Sequence, residues 1–131
     1  MNSRFPSADE YSAQKARYGS LTVVDIGAYQ RTVSDPYRND VLSNINGDCM
    51  RIAVFEGEYR WHYHPDSDEL FLVLAGKLQI DMADKDTVEL TEWQYVVVPA
   101  GTVHRTRAIG RTVNVTYEKQ GAQTVFVERA D

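Results

Sequence analysis

Several kinds of residue are scarce in this sequence, and each shortage excludes a class of protein. Cys49 is the only cysteine among 131 residues, so no disulfide can form within the chain and a reducing, cytoplasmic location is expected. No apolar run reaches the roughly eighteen residues of a membrane helix, and residues 1–10 lack the apolar segment of a signal peptide. Lysine and arginine form no cluster and the net charge is −5, so neither a membrane nor a nucleic acid is an expected partner.

What remains is the composition of an ordinary globular protein. Hydrophobic residues make up 43% and charged residues 25% of the chain, which suits one folded domain and leaves no room for a disordered majority. We predict an N-terminal segment over residues 1–20 and a single domain over residues 21–131. Ser7 and Glu10 form the pattern of a capping box and Gly19 suits a helix stop, so a short helix is predicted over residues 8–18.

Short apolar runs separated by turn formers recur along the chain and predict β-strands. The predicted strands cover residues 21–26, 50–55, 59–64, 70–75, 77–82, 87–90, 95–98, 103–108, 112–117 and 124–127. The barrel itself is expected to begin at Cys49, because residues 27–40 are rich in turn formers and are predicted to be irregular. Many short strands with tight turns and almost no helix predict an all-β, double-sheet antiparallel barrel of the jelly-roll type.

Two histidines stand one residue apart in one of these predicted strands. Because side chains alternate between the faces of a strand, His62 and His64 leave the same face. Pro65 ends that strand, and residues 66–68 favour a turn. The strand that begins at Glu69 is then predicted to fold back as a hairpin, which places Glu69 opposite the two imidazoles. Imidazole nitrogens and a carboxylate oxygen together suit a divalent metal ion.

The remaining histidine, His104, supplies a further ligand. Pro99 suits the second position of a tight turn and Gly101 the fourth, so a turn is predicted between strand 95–98 and His104. All three histidines of the chain then belong to one predicted site with Glu69. A lone histidine pair is more often a surface feature or a hydrogen-bonded core residue, but the joint pattern favours a metal site.

With these residues in place, the chain resembles the cupin family. The residues that match the first cupin motif are Gly57, His62, His64, Glu69 and Gly76, and those that match the second are Pro99, Gly101 and His104. Trp93 and Ala108 replace the glycine and the asparagine at the two ends of the second motif. A changed turn is therefore expected at Trp93, whereas no metal ligand is lost.

The resemblance covers roughly residues 48–118 and implies a double-stranded β-helix, or jelly-roll, barrel with a short N-terminal helix. It also implies one divalent ion, Fe, Mn, Ni or Zn, held by a set of four ligands: His62, His64, Glu69 and His104. A small-molecule substrate would bind at the open positions of that ion.

Three further residues are candidates for the substrate pocket: Arg60, Phe71 and Val73. Arg60 shares the face of His62, and the sequence leaves open whether its charge lies inside the barrel mouth or at its rim. Phe71 and Val73 are expected to form apolar walls around the metal. Trp61 points to the opposite face, where packing on the outside of the sheet is its expected role.

The resemblance implies an enzyme that acts on a small oxygen-bearing metabolite, as an oxidoreductase of the oxygenase type, an isomerase, an epimerase or a lyase. Lyases of the dimethylsulfoniopropionate type have a tyrosine two residues after the glutamate, where this chain has Phe71, which cannot take a proton. Many short cupins are similar to mannose-6-phosphate isomerases, but a phosphate needs cations, and the strands offer only Arg60 and Arg51. The alternative is a non-catalytic module that binds a metal or a small molecule.

One strand pattern concerns assembly. Residues 70–74 are apolar on both faces of their predicted strand, whereas residues 78–82 alternate between apolar and polar. The first strand therefore needs cover outside the barrel as well as inside it. Either the segment 21–26 or a second copy of the chain could provide that cover, and a homodimer is expected because two-fold dimers are the commonest soluble homo-oligomers.

Overall fold

The computed structural model describes residues 5–129 of the chain. Within them, two short helices precede nine strands. In chain order the elements are α1 (Ala8–Ala13), α2 (Ile26–Arg31), β1 (Tyr37–Ile45), β2 (Asp48–Glu58), β3 (His62–Tyr63), β4 (Glu69–Ala75), β5 (Leu78–Met82), β6 (Lys85–Leu90), β7 (Tyr95–Val98), β8 (His104–Lys119) and β9 (Val125–Phe126). Neither of the described helices is long and apolar enough to cross a lipid bilayer.

Strand β8 is the element on which the sheet is built. It runs for 16 residues and pairs antiparallel with β2, β3, β4 and β5. The sequence predicts two strands here, over 103–108 and 112–117. The structure has one continuous strand that bends at Gly110. Gly110 has a φ of 73°, a value that glycine adopts without strain. Its first half pairs with β5 and its second half with β4. The sheet therefore curls around a core, which confirms the predicted all-β jelly-roll class.

The alternation of side chains along the strands separates two apolar cores. The inner core lies inside the barrel and consists of Ala53, Phe55, Phe71, Val73, Leu78, Ile80, Leu90, Val98 and Ala108. The outer core lies on the back of the sheet and consists of Val33, Leu42, Ile52, Val54 and Val113. Successive residues of β2 belong alternately to the outer and the inner core, as a period of two requires.

The N-terminal part of the chain covers the outer core. Partly buried apolar residues from this part and from β4 pack against it, namely Tyr18, Ile26, Tyr29 and Leu74. The apolar outer face of β4 therefore finds part of its cover within the chain. A homodimer that covers more of that face stays a prediction, which sedimentation velocity would test.

The predicted strand over residues 21–26 is wrong. Leu21 has a left-handed φ of 63° and Val23 is 95% exposed, so this segment is not part of the sheet. Asp25 instead begins α2, because its carboxylate accepts a hydrogen bond of 2.8 Å from the backbone amide of Ala28. An aspartate that caps a helix in this way competes with a strand for the same backbone.

Helix α1 is shorter than the predicted range of 8–18. The predicted capping box is confirmed, since the Ser7 hydroxyl accepts from the Glu10 amide and the Glu10 carboxylate accepts from the Ser7 amide. Beyond Ala13 the chain is extended, and the amides of Arg17 and Tyr18 donate to carbonyls of β1 at 3.0 Å. Pairing with the edge of the sheet replaces the remaining turns of the predicted helix.

The barrel begins before Cys49, at β1, which pairs antiparallel with β2. Part of β1 lies in residues 27–40, which the sequence predicts to be irregular. Asn39 and Asp40 are turn formers by composition, and this obscures the strand. Inside the barrel, however, Asn39 accepts a hydrogen bond of 3.0 Å from the buried guanidinium of Arg51, so a polar residue is suited to this strand.

The fold makes one prediction about stability. Val73 is fully buried in the inner core, so the substitution Val73→Asp places an unpaired charge there. We expect the free energy of unfolding to fall by about 3–5 kcal/mol, a large part of the stability of a small domain. Urea unfolding followed by circular dichroism measures this change.

Val23→Asp is the matched control, because Val23 is 95% exposed. Its free energy of unfolding should stay within about 0.5 kcal/mol of the parent value. Equal stabilities for the two variants would show that Val73 is not in the core.

Candidate metal centre

His62 and His104 lie opposite each other on neighbouring strands. Strand β3 pairs antiparallel with β8, with His62 in register with His104, and the centroids of their rings are 4.4 Å apart. Strand β3 also pairs with β9. The predicted hairpin that joins the strands of His62 and Glu69 is therefore wrong, because β8 and β9 occupy the two edges of β3 and leave none for β4.

Glu69 reaches the histidines because the sheet curls. It is the first residue of β4, which pairs with the second half of β8, whereas β3 meets the start of β8. Glu69 Oε1 lies 3.2 Å from His64 Nε2 and 3.7 Å from His104 Nε2. The four predicted ligands are all buried, and their ligand-type atoms lie within 4.8 Å of one another: His62, His64, Glu69 and His104. The structure therefore brings together every residue of the predicted metal set.

The turn before His104 holds the ligand segments in place. The amide of Gly101 donates to the His64 carbonyl, and the amide of Ala100 donates to Asp68 Oδ1, both at 2.9 Å. Asp68 belongs to the segment that links His64 to Glu69, where composition alone indicates only a solvated turn. These bonds join the turn before His104 to the segment between His64 and Glu69, so three of the four ligands are held relative to one another.

The same turn is shifted by one residue from its predicted position. The amide of Thr102 donates to the carbonyl of Pro99 at 3.2 Å, so Pro99 is the first residue of the turn and Gly101 the third. Gly101 has a φ of 81°, which the third position of a type II turn requires and which glycine adopts readily.

Each histidine has one ring nitrogen bonded to a backbone carbonyl. The Nδ1 atoms of His62, His64 and His104 lie 2.7, 2.8 and 2.8 Å from the carbonyl oxygens of Arg60, Gln123 and Thr102. A carbonyl can only accept, so Nδ1 carries the proton in all three rings. Nε2 is therefore the nitrogen of each ring that is left for a metal, and the rings are held in the orientation that binding needs.

The donor atoms fit a divalent ion. His64 Nε2, Glu69 Oε1 and His104 Nε2 are buried without a hydrogen-bond partner among the described residues. Buried polar atoms are nearly always satisfied, so a group of unsatisfied ones at short mutual distances marks a position for a ligand. Imidazole nitrogen and carboxylate oxygen are the ligands that Fe, Mn, Ni and Zn share.

The electrostatics of the cluster couple metal binding to a proton. Burial, together with the neighbouring rings of His104 and His64, lowers the pKa of His62 to about 3. Burial also opposes charge on His64, but the carboxylate of Glu69 outweighs it and raises the pKa of His64 to about 9. Burial likewise opposes charge on Glu69, yet contacts with His104 and His64 hold its pKa well below its usual range. A metal ion must therefore displace a proton from His64, and its binding should release that proton.

A cavity of about 40 Å³ lies beside the cluster. Aromatic rings form its apolar side, which consists of Tyr37, Phe55, Tyr59 and Phe71, and the side chains of Thr106, Asn114 and Thr116 form a polar side. Among the pocket candidates, Phe71 lines this cavity, whereas Val73 is buried in the inner core. Arg60 is exposed, with its guanidinium carbon 3.6 Å from the centroid of the Phe126 ring, so its charge lies at the rim rather than in the cavity.

Sequence reasoning missed a second buried polar group next to the cluster. The hydroxyl of Tyr11 and the Nε of Arg51 both donate to Glu118 Oε2, at 2.7 and 3.0 Å. Tyr11 also stacks on the ring of His64, with centroids 5.8 Å apart. Burial and the nearby charge of Glu69 raise the pKa of Glu118. The available signal was the alternation at the end of β8, where polar residues occupy one face.

Trp93, which replaces a glycine of the family motif, keeps the backbone conformation of a glycine. Its φ is 70°, a left-handed value that is unusual for a bulky residue. The amide of Trp93 donates to the carbonyl of Val73 at 2.7 Å, and its side chain is exposed. The change of turn that the sequence predicts at Trp93 therefore does not occur in the backbone, which follows the path of a glycine. Only the side chain differs, and it is exposed.

The centre makes a prediction about metal affinity. Replacement of a residue that hydrogen-bonds to a metal ligand commonly costs about 10–100-fold in metal affinity, so loss of the ligand itself in His104→Ala should weaken zinc binding by more than about a hundredfold. Cooperative thermal unfolding should remain, because the apolar cores close the barrel. Elemental analysis after dialysis against zinc, with circular dichroism on the same samples, measures both.

Arg60→Ala is the control, since Arg60 lies at the rim, and it should bind one equivalent of zinc like the parent. If the His104→Ala variant retains a full equivalent, this residue is not a ligand. If it loses its β-rich spectrum instead, the metal is structural.

The comparisons with known proteins agree with this fold. A sequence model of the Cupin_2 family, described as a cupin domain, matches residues 50–117. The uncharacterized protein YdbB of Bacillus subtilis (strain 168) is 50% identical over 101 residues, which are 77% of this chain and 89% of that protein.

Solved structures show the same architecture. A cupin-2 domain protein from Shewanella frigidimarina has a TM-score of 0.69 at 27% identity, over 74% of this chain and 94% of that one. Protein NMB1881 from Neisseria meningitidis has a TM-score of 0.68 at 22% identity, over 75% of this chain and 99% of that one. The chain belongs to the cupin family.

Proposed function

We propose that the chain is a metal-dependent cupin enzyme that acts on a small oxygen-bearing metabolite. The observation that carries this proposal is the burial of four ligand-type side chains, with unsatisfied nitrogen and oxygen atoms, beside a cavity. A structural metal site is closed by its protein ligands, whereas a catalytic site keeps a position open for substrate. Oxygenase, isomerase, epimerase and lyase chemistry all use such an open position.

A divalent ion, Fe, Mn, Ni or Zn, would supply a Lewis acid that polarises a substrate oxygen. The chain orients the ligand rings through their Nδ1 protons and excludes bulk water with aromatic walls. Phe71, for example, packs edge-on against His104 with ring centroids 5.9 Å apart. Glu69 is the only carboxylate in the ligand set, so a divalent ion keeps a net positive charge and favours an anionic or oxygen-rich substrate.

The positions of the cations disfavour sugar-phosphate isomerisation. Arg51 is fully buried and pairs with Glu118 at 3.0 Å, and Arg60 stacks on Phe126 at the rim. Among the described residues that line the cavity, none is lysine or arginine. A phosphate in this cavity would therefore be bound without the cationic partners that phosphate groups need.

A non-catalytic module that holds a metal or a small molecule is the second candidate. The size of the cavity favours it, because about 40 Å³ accommodates only a few atoms next to the metal position. Such a module would bind a metal through the same four ligands but would catalyse no reaction. The two candidates differ in whether the ion exchanges small ligands.

Nitric oxide tests the open position. When the Fe(II)-loaded protein is mixed with nitric oxide without air, we expect the electron paramagnetic resonance signal of an iron–nitrosyl adduct, which a bidentate oxygen ligand should suppress. The His104→Ala variant, with a weakened site, is the control for iron bound elsewhere. If iron stays bound and no adduct forms, the coordination sphere is full and the enzyme proposal fails.

A further inference from the structure

A row of unsatisfied polar atoms runs along one face of β8. Asn114, Thr116 and Glu118 alternate with apolar residues and therefore point to the same side of the strand, into the barrel. Asn114 Oδ1, Thr116 Oγ1 and Glu118 Oε1 are each buried, and none has a hydrogen-bond partner among residues 5–129. These atoms are distinct from the unsatisfied atoms of the metal ligands.

The row connects the cavity to the metal centre. Asn114 and Thr116 line the cavity together with Glu69 and His62. Glu118 Oε1 lies 4.0 Å from His64 Nε2, the nitrogen that is free for a metal. A ligand that binds the ion and extends into the cavity would therefore contact Asn114 and Thr116 in the cavity and have Glu118 beside its metal-bound end.

Two neighbouring donors, Tyr11 and Arg51, are already used elsewhere. Tyr11 and Arg51 both donate to the other oxygen of Glu118, Oε2. Arg51 also donates to Asn39 and to the backbone carbonyl of Tyr11, both at 3.0 Å. The chain thus satisfies one carboxylate oxygen of Glu118 and leaves the other facing the site.

The chemistry of the row determines what it accepts. The carboxylate oxygen of Glu118 and the amide oxygen of Asn114 are acceptors, and the Thr116 hydroxyl can serve as donor or acceptor. Aromatic side chains form much of the remaining lining, including Tyr37, Phe55 and Phe71. A bound ligand must therefore bring its own hydrogen-bond donors to the β8 side, because acceptors left unpaired in a buried site oppose binding.

We infer that the site takes a small hydroxy acid or enediol, whose hydroxyl groups donate to Asn114, Thr116 and Glu118, and that it rejects the corresponding keto compound. This inference rests on the proposed function, since the carboxylate or second oxygen of the ligand occupies the metal. The inference goes further, because it separates oxygen-bearing substrates into those that bind and those that do not. A diketone or a keto acid can chelate the ion, but it supplies no hydrogen-bond donor to the row.

Lactate and pyruvate test this selection, because they have the same charge and nearly the same size and differ in one hydroxyl group. Calorimetric titration of the zinc-loaded protein with each ligand gives the ratio of the two affinities, and titration of free zinc in the same buffer gives the reference ratio. We expect the protein to favour lactate over pyruvate at least about tenfold more than free zinc does, which is the effect of one buried hydrogen bond.

Thr116→Val removes one hydroxyl of the row with little change of shape. In this variant the affinity for lactate should fall by about tenfold while the zinc content stays at one equivalent. Thr22→Val is the matched control, since Thr22 is exposed and lies outside the barrel, and it should behave like the parent.

The outcomes separate the two proposals. A lactate-to-pyruvate ratio equal to that of free zinc overturns the inference and leaves the metal-dependent function in place. If neither ligand binds while zinc is bound, the metal position is closed and both proposals fail. Because the wild-type ratio is decisive on its own, the inference is tested even if the Thr116→Val variant does not fold.

Discussion

A carboxylate buried between two imidazoles is the constraint on which the candidate site depends. Glu69 is 5% exposed, and an isolated charge in such a position would be strongly unfavourable. It is tolerated because Nε2 of His64, whose pKa Glu69 raises to about 9, lies 3.2 Å from it, with Nε2 of His104 at 3.7 Å. Those two residues come from distant parts of the chain, so the compensation exists only when the sheet has curled and β8 has bent. The curled sheet is therefore what assembles the site.

A second buried charge, the guanidinium of Arg51, links the N-terminal segment to the barrel. Arg51 is fully buried and is satisfied by Glu118, by Asn39 and by groups of α1, including the carbonyl of Tyr11. Its guanidinium carbon also lies 3.7 Å from the centroid of the Tyr11 ring. Helix α1 is too short to be stable by itself, and these contacts hold it against the barrel. As a result, Tyr11 becomes part of the cavity wall beside the metal ligands.

The sequence was most informative where residue type and spacing carry the chemistry. His62, His64, Glu69 and His104 could be assigned as one site because each is a metal-ligand type at a spacing tied to turn residues. The strand pairing that brings them together could not be assigned, because a short local hairpin and a pairing across the barrel place the same residues close together. Tertiary contacts also determine where helix α1 ends. The amides of Arg17 and Tyr18 donate to β1, so these residues do not continue the helix. Glu118 was missed because the polar alternation at the end of β8 marks a face of the strand but does not show its buried partners, Tyr11 and Arg51.

The proposed metal centre requires that folding alone arrange three imidazoles and one carboxylate for a divalent ion. X-ray absorption at the zinc edge of the loaded protein tests it most directly. We expect the scattering pattern of three imidazoles, together with oxygen ligands from the carboxylate and from exchangeable small molecules at about 2.0–2.2 Å from the zinc. Fewer than three imidazoles, or a sulfur ligand from Cys49, would contradict it.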